Sequence, residues 1–163
     1  MLELRTRNRG FFGPFEPSSV VVPTTLKAQL ERFAAELADW NEGRGYVFGI
    51  FRGDDGALAG RIAFSHVSRA AWQNAVLGYF VDEEQNGRGY ATEAARLAVR
   101  FAFEHAGLHR VQAGVMPRNE RSVRVLTKAG FRQEGVALRY LEIGGVWEDH
   151  IIFAITREEW NPA

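Results

Sequence analysis

Residues 75–105 read "AVLGYFVDEEQNGRGYATEAARLAVRFAFEH", and the order of the parts decides the fold. The apolar run from Ala75 to Val81 predicts a strand, and "NGRGY" at Asn86–Tyr90 is a glycine turn. From Ala91 to His105 a helical period sets Ala94, Leu97, Ala98, Phe101 and Ala102 on one face, with Glu93, Arg96, Arg100 and Glu104 largely on the other. A strand that passes through two glycines into a helix leaves free backbone N–H groups and the positive end of the macrodipole just beyond the strand. Gly87 and Gly89 let the backbone approach closely, and Arg88 adds a charge, so the loop suits a phosphate. An ordinary strand-to-helix loop would be written with the same letters.

Those letters recur at Gly43–Tyr46, within "EGRGYVFGI". That copy follows a helix and precedes a strand, so it lies at unsatisfied carbonyls and the negative end of a dipole. It reads as a glycine C-cap that binds nothing. The copy at Asn86 matches neither familiar phosphate motif. A P-loop needs Gly-Lys-Ser/Thr where the chain has Gly89-Tyr90-Ala91, and a dinucleotide fingerprint needs Gly or Ala where position 92 is Thr.

Before this stretch, "NRGFFGPFEPSSVVVPTT" reads as irregular, with Phe11, Phe12, Phe15 and Val20 to Val22 as apolar anchors, so residues 1–23 form an irregular N-terminal segment. Thr24 or Thr25 caps a helix in which Leu26, Leu30, Phe33, Ala34 and Leu37 recur at helical spacing. Strands follow at Tyr46 to Arg52 and Ala57 to His66, joined by "GDDG". After the central helix come a strand at His109 to Met116, a short helix at Asn119 to Ala129, and a hairpin of Phe131 to Tyr140 with Val146 to Thr156 around "EIGG". The expected fold is α/β: a single domain over residues 1–163 with a mixed, mostly antiparallel central sheet and helices on both faces.

Composition narrows the function. The 163 residues include 20 Lys plus Arg and 20 Asp plus Glu, and the net charge of zero argues against nucleic acid or an anionic membrane as partner. There is no cysteine, which removes disulfides, thiolate metal sites and a cysteinyl acyl-enzyme. "MLELRTRNRG" has no apolar signal core, and the expectation is a cytoplasmic protein. His105 and His109 are four apart, but Gly107 interrupts the helix between them, so no metal is expected. No Gly-x-Ser-x-Gly elbow is present.

Taken in order, the strand Leu77 to Val81, "NGRGYATEA", "HRVQAGVMPRNERSVRVLTKAGF" and "YLEIGGVWEDH" resemble the GCN5-related N-acetyltransferase (GNAT) superfamily. Within it the chain is most similar to the RimJ/RimL type, which acetylates N-terminal amines of ribosomal proteins. The likeness runs from about Asn8 to Trp160. It implies that the amides of Asn86, Gly87, Arg88, Gly89, Tyr90 and Ala91, with Thr92, hold the pyrophosphate of acetyl-CoA. It implies too that the strand around Phe80 and Val81 pairs with the pantetheine arm in a groove splayed open beside it. Ser122 is then the residue that protonates or hydrogen-bonds the departing thiolate, and Asn119 contacts the coenzyme arm as well as capping its helix. Arg124 and Lys128 either approach the other phosphate or form a solvated face.

Acetyl transfer to an amine needs a neutral nucleophile and no metal. An α-amine, with a reference pKa of about 7.7–8.0, is neutral far more often than a lysine near 10.4. Relatives often carry an acid before Tyr140, where this chain has Arg139; Glu142 is the candidate base, with Glu148 and Asp149 nearby. Trp147 and His150 match a W-x-D-H segment that hairpin packing also explains. The acceptor is a protein N-terminus, or alternatively a small amine; a third reading is an acyl-CoA-binding regulator without turnover. The family's usual first strand and most of its first helix have no counterpart ahead of "NRGFF", so an unpaired sheet edge and a homodimer are expected.

Overall fold

The computed structural model describes residues 1–17 and 20–161. Six strands form one sheet in the order β1-β2-β3-β4-β6-β5: β1 (Tyr46–Phe51), β2 (Leu58–Ser68), β3 (Asn74–Val81), β4 (Arg110–Val115), β5 (Arg132–Ile143) and β6 (Val146–Thr156). Every neighbouring pair is antiparallel except β3 and β4. A parallel pair needs a crossover. It is supplied by α4 (Tyr90–Glu104), the helix read from the sequence, while α5 (Glu120–Lys128) links β4 to β5. The expected mixed, mostly antiparallel sheet is therefore present.

Strand alternation assigns the faces. Phe48, Ile62 and Tyr79 are consecutive register partners on β1, β2 and β3, and all contribute to the core packed with α4. Next to Tyr79, Phe80 points the other way, its ring 4.9 Å from Phe12 and 4.8 Å from the Arg5 guanidinium carbon. Helices thus lie on both faces. The α4 core face is turned from the expected one: Ala95, Val99 and Phe103 are buried with Ala94, Ala98 and Ala102, while Leu97 is 59% exposed.

The N-terminal segment departs from the irregular structure expected of residues 1–23. It forms α1 (Leu2–Arg7), α2 (Arg9–Phe12) and a 3-10 turn at Gly13–Phe15; Ser18 and Ser19 lie outside the described residues. Pro14 sits at the start of the 3-10 turn, where its missing N–H costs nothing. These helices are too short to carry a periodic signal or to hold alone in water. Tertiary contacts hold them: Arg5 pairs with Glu16, and Asn8 Nδ2 donates to Asp82 Oδ1 at 3.0 Å while its Oδ1 accepts from Glu83 N at 2.9 Å. Arg7 completes the cluster with an ion pair to Asp82.

Helix α3 (Leu26–Asn41) begins at Thr25, whose Oγ1 accepts from Ala28 N at 3.2 Å. Its apolar row does not face the core: Leu26, Leu30, Phe33 and Leu37 are all exposed. The helix presents Gln29, Arg32 and Glu36 inward instead, and Glu36 Oε1 accepts from Arg61 Nη2 at 2.7 Å and from Arg32 Nε at 2.8 Å. Gly43 (φ 67°) closes α3, as its position in the sequence implied, and its carbonyl takes a hydrogen bond from Arg69. The Gly144-Gly145 pair, both at positive φ, makes the two-residue turn between β5 and β6 and leaves Glu142 inside β5.

Asp82 is 2% exposed, and burial alone would raise its pKa; the hydrogen bonds from Arg7 and Asn8 outweigh that and hold the carboxyl below its ordinary value. A depressed folded-state pKa contributes stability above the unfolded value of about 3.9 and loses it as pH falls through the lower folded value. Asp82→Asn should therefore lower stability by about 1–2 kcal/mol at pH 7, or roughly 2–8 °C in Tm, and the gap to wild type should close as pH drops below about 4. Thermal melts of both proteins across pH check this; a gap independent of pH would contradict it.

Candidate active site at the split in the sheet

Strands β3 and β4 pair through only three registers, Asn74 with Arg110, Ala75 with Val111 and Val76 with Gln112. Beyond Val76, β3 continues to Val81 and β4 to Val115 without pairing each other, so the sheet splits along Leu77–Val81. The carboxyl end of β3 leads into the start of α4, and that of β4 into the start of α5. Two helix N-termini therefore follow the two walls of one gap, the arrangement in which open α/β sheets bind ligands.

The first of these is the glycine loop. A 3-10 turn at Glu83–Gln85 leads to Asn86, whose side chain donates to Glu83 O at 3.2 Å. Gly87 and Gly89 have φ of 79° and 88°, a region that side chains strongly disfavour. A Cβ placed on either would meet nothing within 4 Å, so the space above the loop is open. Gly89 is the N-cap of α4, and no side chain caps this helix. Backbone donors at a dipole's positive end, under open space, fit a phosphate. Arg88 is exposed beside them, and Tyr90, Ala91 and Thr92 make up the half-buried first turn.

The second N-terminus carries Asn119, whose Oδ1 caps α5 by accepting from Ser122 N at 3.2 Å, as its sequence position implied. Ser122 Oγ is hydrogen-bonded at 2.7 Å to the hydroxyl of Tyr79 on β3. Phe80 and Val81 lie on the unpaired stretch of β3, but their side chains are committed to packing, so only their backbone faces the gap edge. Arg124 pairs with Glu120 on the outer face of α5.

The three candidate carboxylates separate. Glu142 stands opposite Trp147 on the two-stranded tip of the hairpin, past the last β4 pair at Val115 and Ile151, and is exposed. Asp149 Oδ1 accepts from Arg139 N at 2.7 Å, where β5 bulges and Arg139 has φ 49°. Glu148 reaches across to Arg118, 3.0 Å away in the loop that leads into α5. By contact, Glu148 is the carboxylate tied to the gap. His150 is buried and its Nδ1 donates to Glu148 O. Gly114 lies beside it, where a Cβ would make ordinary contacts at 3.4 Å to the Tyr140 ring and 3.7 Å to His150.

Sequence reasoning missed Tyr79, Arg118 and the Asp82 cluster. Each acts through a partner distant in the chain, and no local pattern signals such a pair. His109 binds Glu158, apart from His105. Among the described residues no group of three or more His, Cys, Asp or Glu lies close enough to hold a metal, and no helix is long and apolar enough to cross a membrane.

Residues 5–132, which hold the whole split, match the family model described as "Acetyltransferase (GNAT) domain". The chain belongs to the GNAT acetyltransferase family. Like its homologues, this GNAT chain is an N-acetyltransferase. It is 44% identical over 154 residues to the Bacillus subtilis protein named "Probable N-acetyltransferase YjcK", covering 94% of this chain and 85% of that one. With the Escherichia coli "[Ribosomal protein uS5]-alanine N-acetyltransferase" it shares 34% identity over 159 residues, 95% of this chain and 80% of the other. The structure superimposes on Mycobacterium smegmatis RimJ in complex with CoA-disulfide at a TM-score of 0.92, with 32% identity, covering 99% of this chain and 78% of RimJ.

Gly89→Glu sets a carboxylate over the donors of the loop and should weaken coenzyme A binding by at least about 100-fold in calorimetry. Gly89→Ala bears the same backbone strain without the charge and should lose far less. Equal losses, or undiminished affinity in Gly89→Glu, would show that the loop is not the anion site.

Proposed function

We propose that this chain transfers the acetyl group of acetyl-CoA to the N-terminal α-amine of a protein, by direct attack in a ternary complex. The observation that carries this is the split of β3 from β4 with an uncapped helix N-terminus at its mouth. It is supported by the relatives whose names specify ribosomal-protein alanine acetylation and by the complex of RimJ with CoA-disulfide. In this reading the backbone amides of Asn86–Ala91 and the first turn at Thr92 hold the pyrophosphate. The free edge of β3 at Phe80 and Val81 pairs with the pantetheine arm, and Asn119 contacts it from the other wall. Ser122 hydrogen-bonds the sulfur as the thioester breaks.

A strong base is not required, because an α-amine is partly neutral near pH 7. Glu148, linked through Arg118 to the start of α5, is the carboxylate we assign to receiving the amine's proton by way of water, in preference to Glu142 on the exposed hairpin tip. Ribosomal proteins, the substrates named for the relatives, are the first acceptors to try, and the cytoplasm is the compartment proposed. The proposal includes a homodimer: β1 is paired on one side only, and the outward row of α3 leaves apolar surface beside it.

Coenzyme A release from acetyl-CoA should rise on adding peptides with free N-termini and stay at background with the same peptides N-terminally blocked. Release only with small amines would move the assignment to a small-molecule acetyltransferase. Tight coenzyme A binding without turnover on any acceptor would indicate a non-catalytic binding protein. Light scattering should give a dimer at micromolar concentration; a monomer across that range would remove the dimer from the proposal.

A further inference from the structure

Tyr79 and Ser122 meet where the two walls of the split have already parted. Tyr79 lies beyond the last β3–β4 register, and Ser122 is in the first turn of the helix that follows β4. The two hydroxyls are 2.7 Å apart, and the Tyr79 hydroxyl is also 3.4 Å from the Ser122 carbonyl. Among the described residues Ser122 Oγ makes no other hydrogen bond. A serine in this position ordinarily turns its hydroxyl onto nearby backbone or water. Here a ring anchored in the core, beside register partner Ile62, reaches across and fixes the oxygen instead.

A phenol is more acidic than an alkanol, so the pair is best satisfied with Tyr79 donating and Ser122 Oγ accepting. That leaves the serine its own O–H to donate onward. Burial pushes the Tyr79 phenol up to about 12; the Ser122 hydroxyl, which can turn and donate to a phenolate, acts in the opposite direction, and Tyr79 keeps its proton throughout the physiological range.

We infer that Tyr79 is a positioning residue for acyl transfer: by donating to Ser122 Oγ it aims the remaining serine O–H at the sulfur that leaves the thioester. This rests on the acetyltransferase reading of the split. In the step, the acceptor nitrogen forms the new C–N bond and the C–S bond breaks with its electron pair on sulfur. The nitrogen loses one proton and the sulfur gains one, carried by water. The Ser122 hydroxyl stabilises the sulfur while it bears charge, and neither Ser122 nor Tyr79 is consumed. Tyr79 touches no reacting atom and acts only through the serine.

The test measures kcat and KM for acetyl-CoA in the full chain, with an acceptor the wild type uses. Tyr79→Phe keeps the ring and should lower kcat about tenfold with KM changed less than about twofold. Ser122→Ala should lose at least as much, and the double variant should be no slower than Ser122→Ala alone. Wild-type kcat in Tyr79→Phe, or losses that multiply in the double variant, would overturn the inference and leave the acetyltransferase reading standing. No turnover by the wild type on any amine would overturn both. A second readout needs neither turnover nor a change at Tyr79: with ring-labelled tyrosine, NMR titration should show one phenol ionising at higher pH in Ser122→Ala than in wild type. Four unmoved tyrosine titrations would likewise overturn the inference.

Discussion

The fold turns on one short parallel pairing, the three registers that join Asn74–Val76 to Arg110–Gln112. All other pairings are antiparallel, and most need only a turn. A parallel pair instead obliges the chain to leave the end of β3, cross as α4 and return to the start of β4. That crossover brings the glycine loop to the carboxyl end of β3, and the continuation of β4 brings Asn119 and Ser122 alongside. Had the pairing run the full length of both strands, the edge of β3 at Leu77–Val81 would be consumed by backbone hydrogen bonds. The gap, its free strand edge and its two helix N-termini are thus one consequence of pairing that stops early.

The rim of the gap is assembled from segments far apart in the chain. Asn8 and Arg7 bind Asp82 at the end of β3, while Phe11 and Phe15 lie under the guanidinium groups of Arg121 and Arg118 at the start of α5. The first fifteen residues therefore span from one wall to the other. Pro17 extends the contact by bridging to Ile143 near the hairpin turn. Glu148 joins the same region through Arg118, which also donates to Pro14 O.

Much of this was legible in the sequence because its signals are local. Strand β3, the turn at Gly87 and Gly89, the long central helix and the Gly144-Gly145 hairpin follow from periodicity and turn chemistry within about twenty residues. The two Gly-Arg-Gly-Tyr copies could be told apart by which end of a helix each adjoined. What escaped depends on contacts that no window contains. The helices of residues 2–12 rest on Asp82, more than seventy positions away, and the Tyr79–Ser122 bond spans 43 positions. In α3 the apolar spacing gave the helix correctly, yet the helix packs with Gln29, Arg32 and Glu36 inward and leaves that row outward. Leu97 illustrates the same limit: an apolar residue at helical spacing can stand at the border of a buried face, and only packing decides its side.

The glycine loop has a consequence for how such a protein diverges. The donors proposed to hold the pyrophosphate are main-chain amides, which nineteen of the twenty residue types carry alike. Asn86, Arg88 and Tyr90 can therefore drift without removing a donor, whereas a side chain at Gly87 or Gly89 would bend the chain away from positive φ. What this site requires is a trajectory of the backbone, and it is written in the letters chiefly as two positions where a side chain is missing.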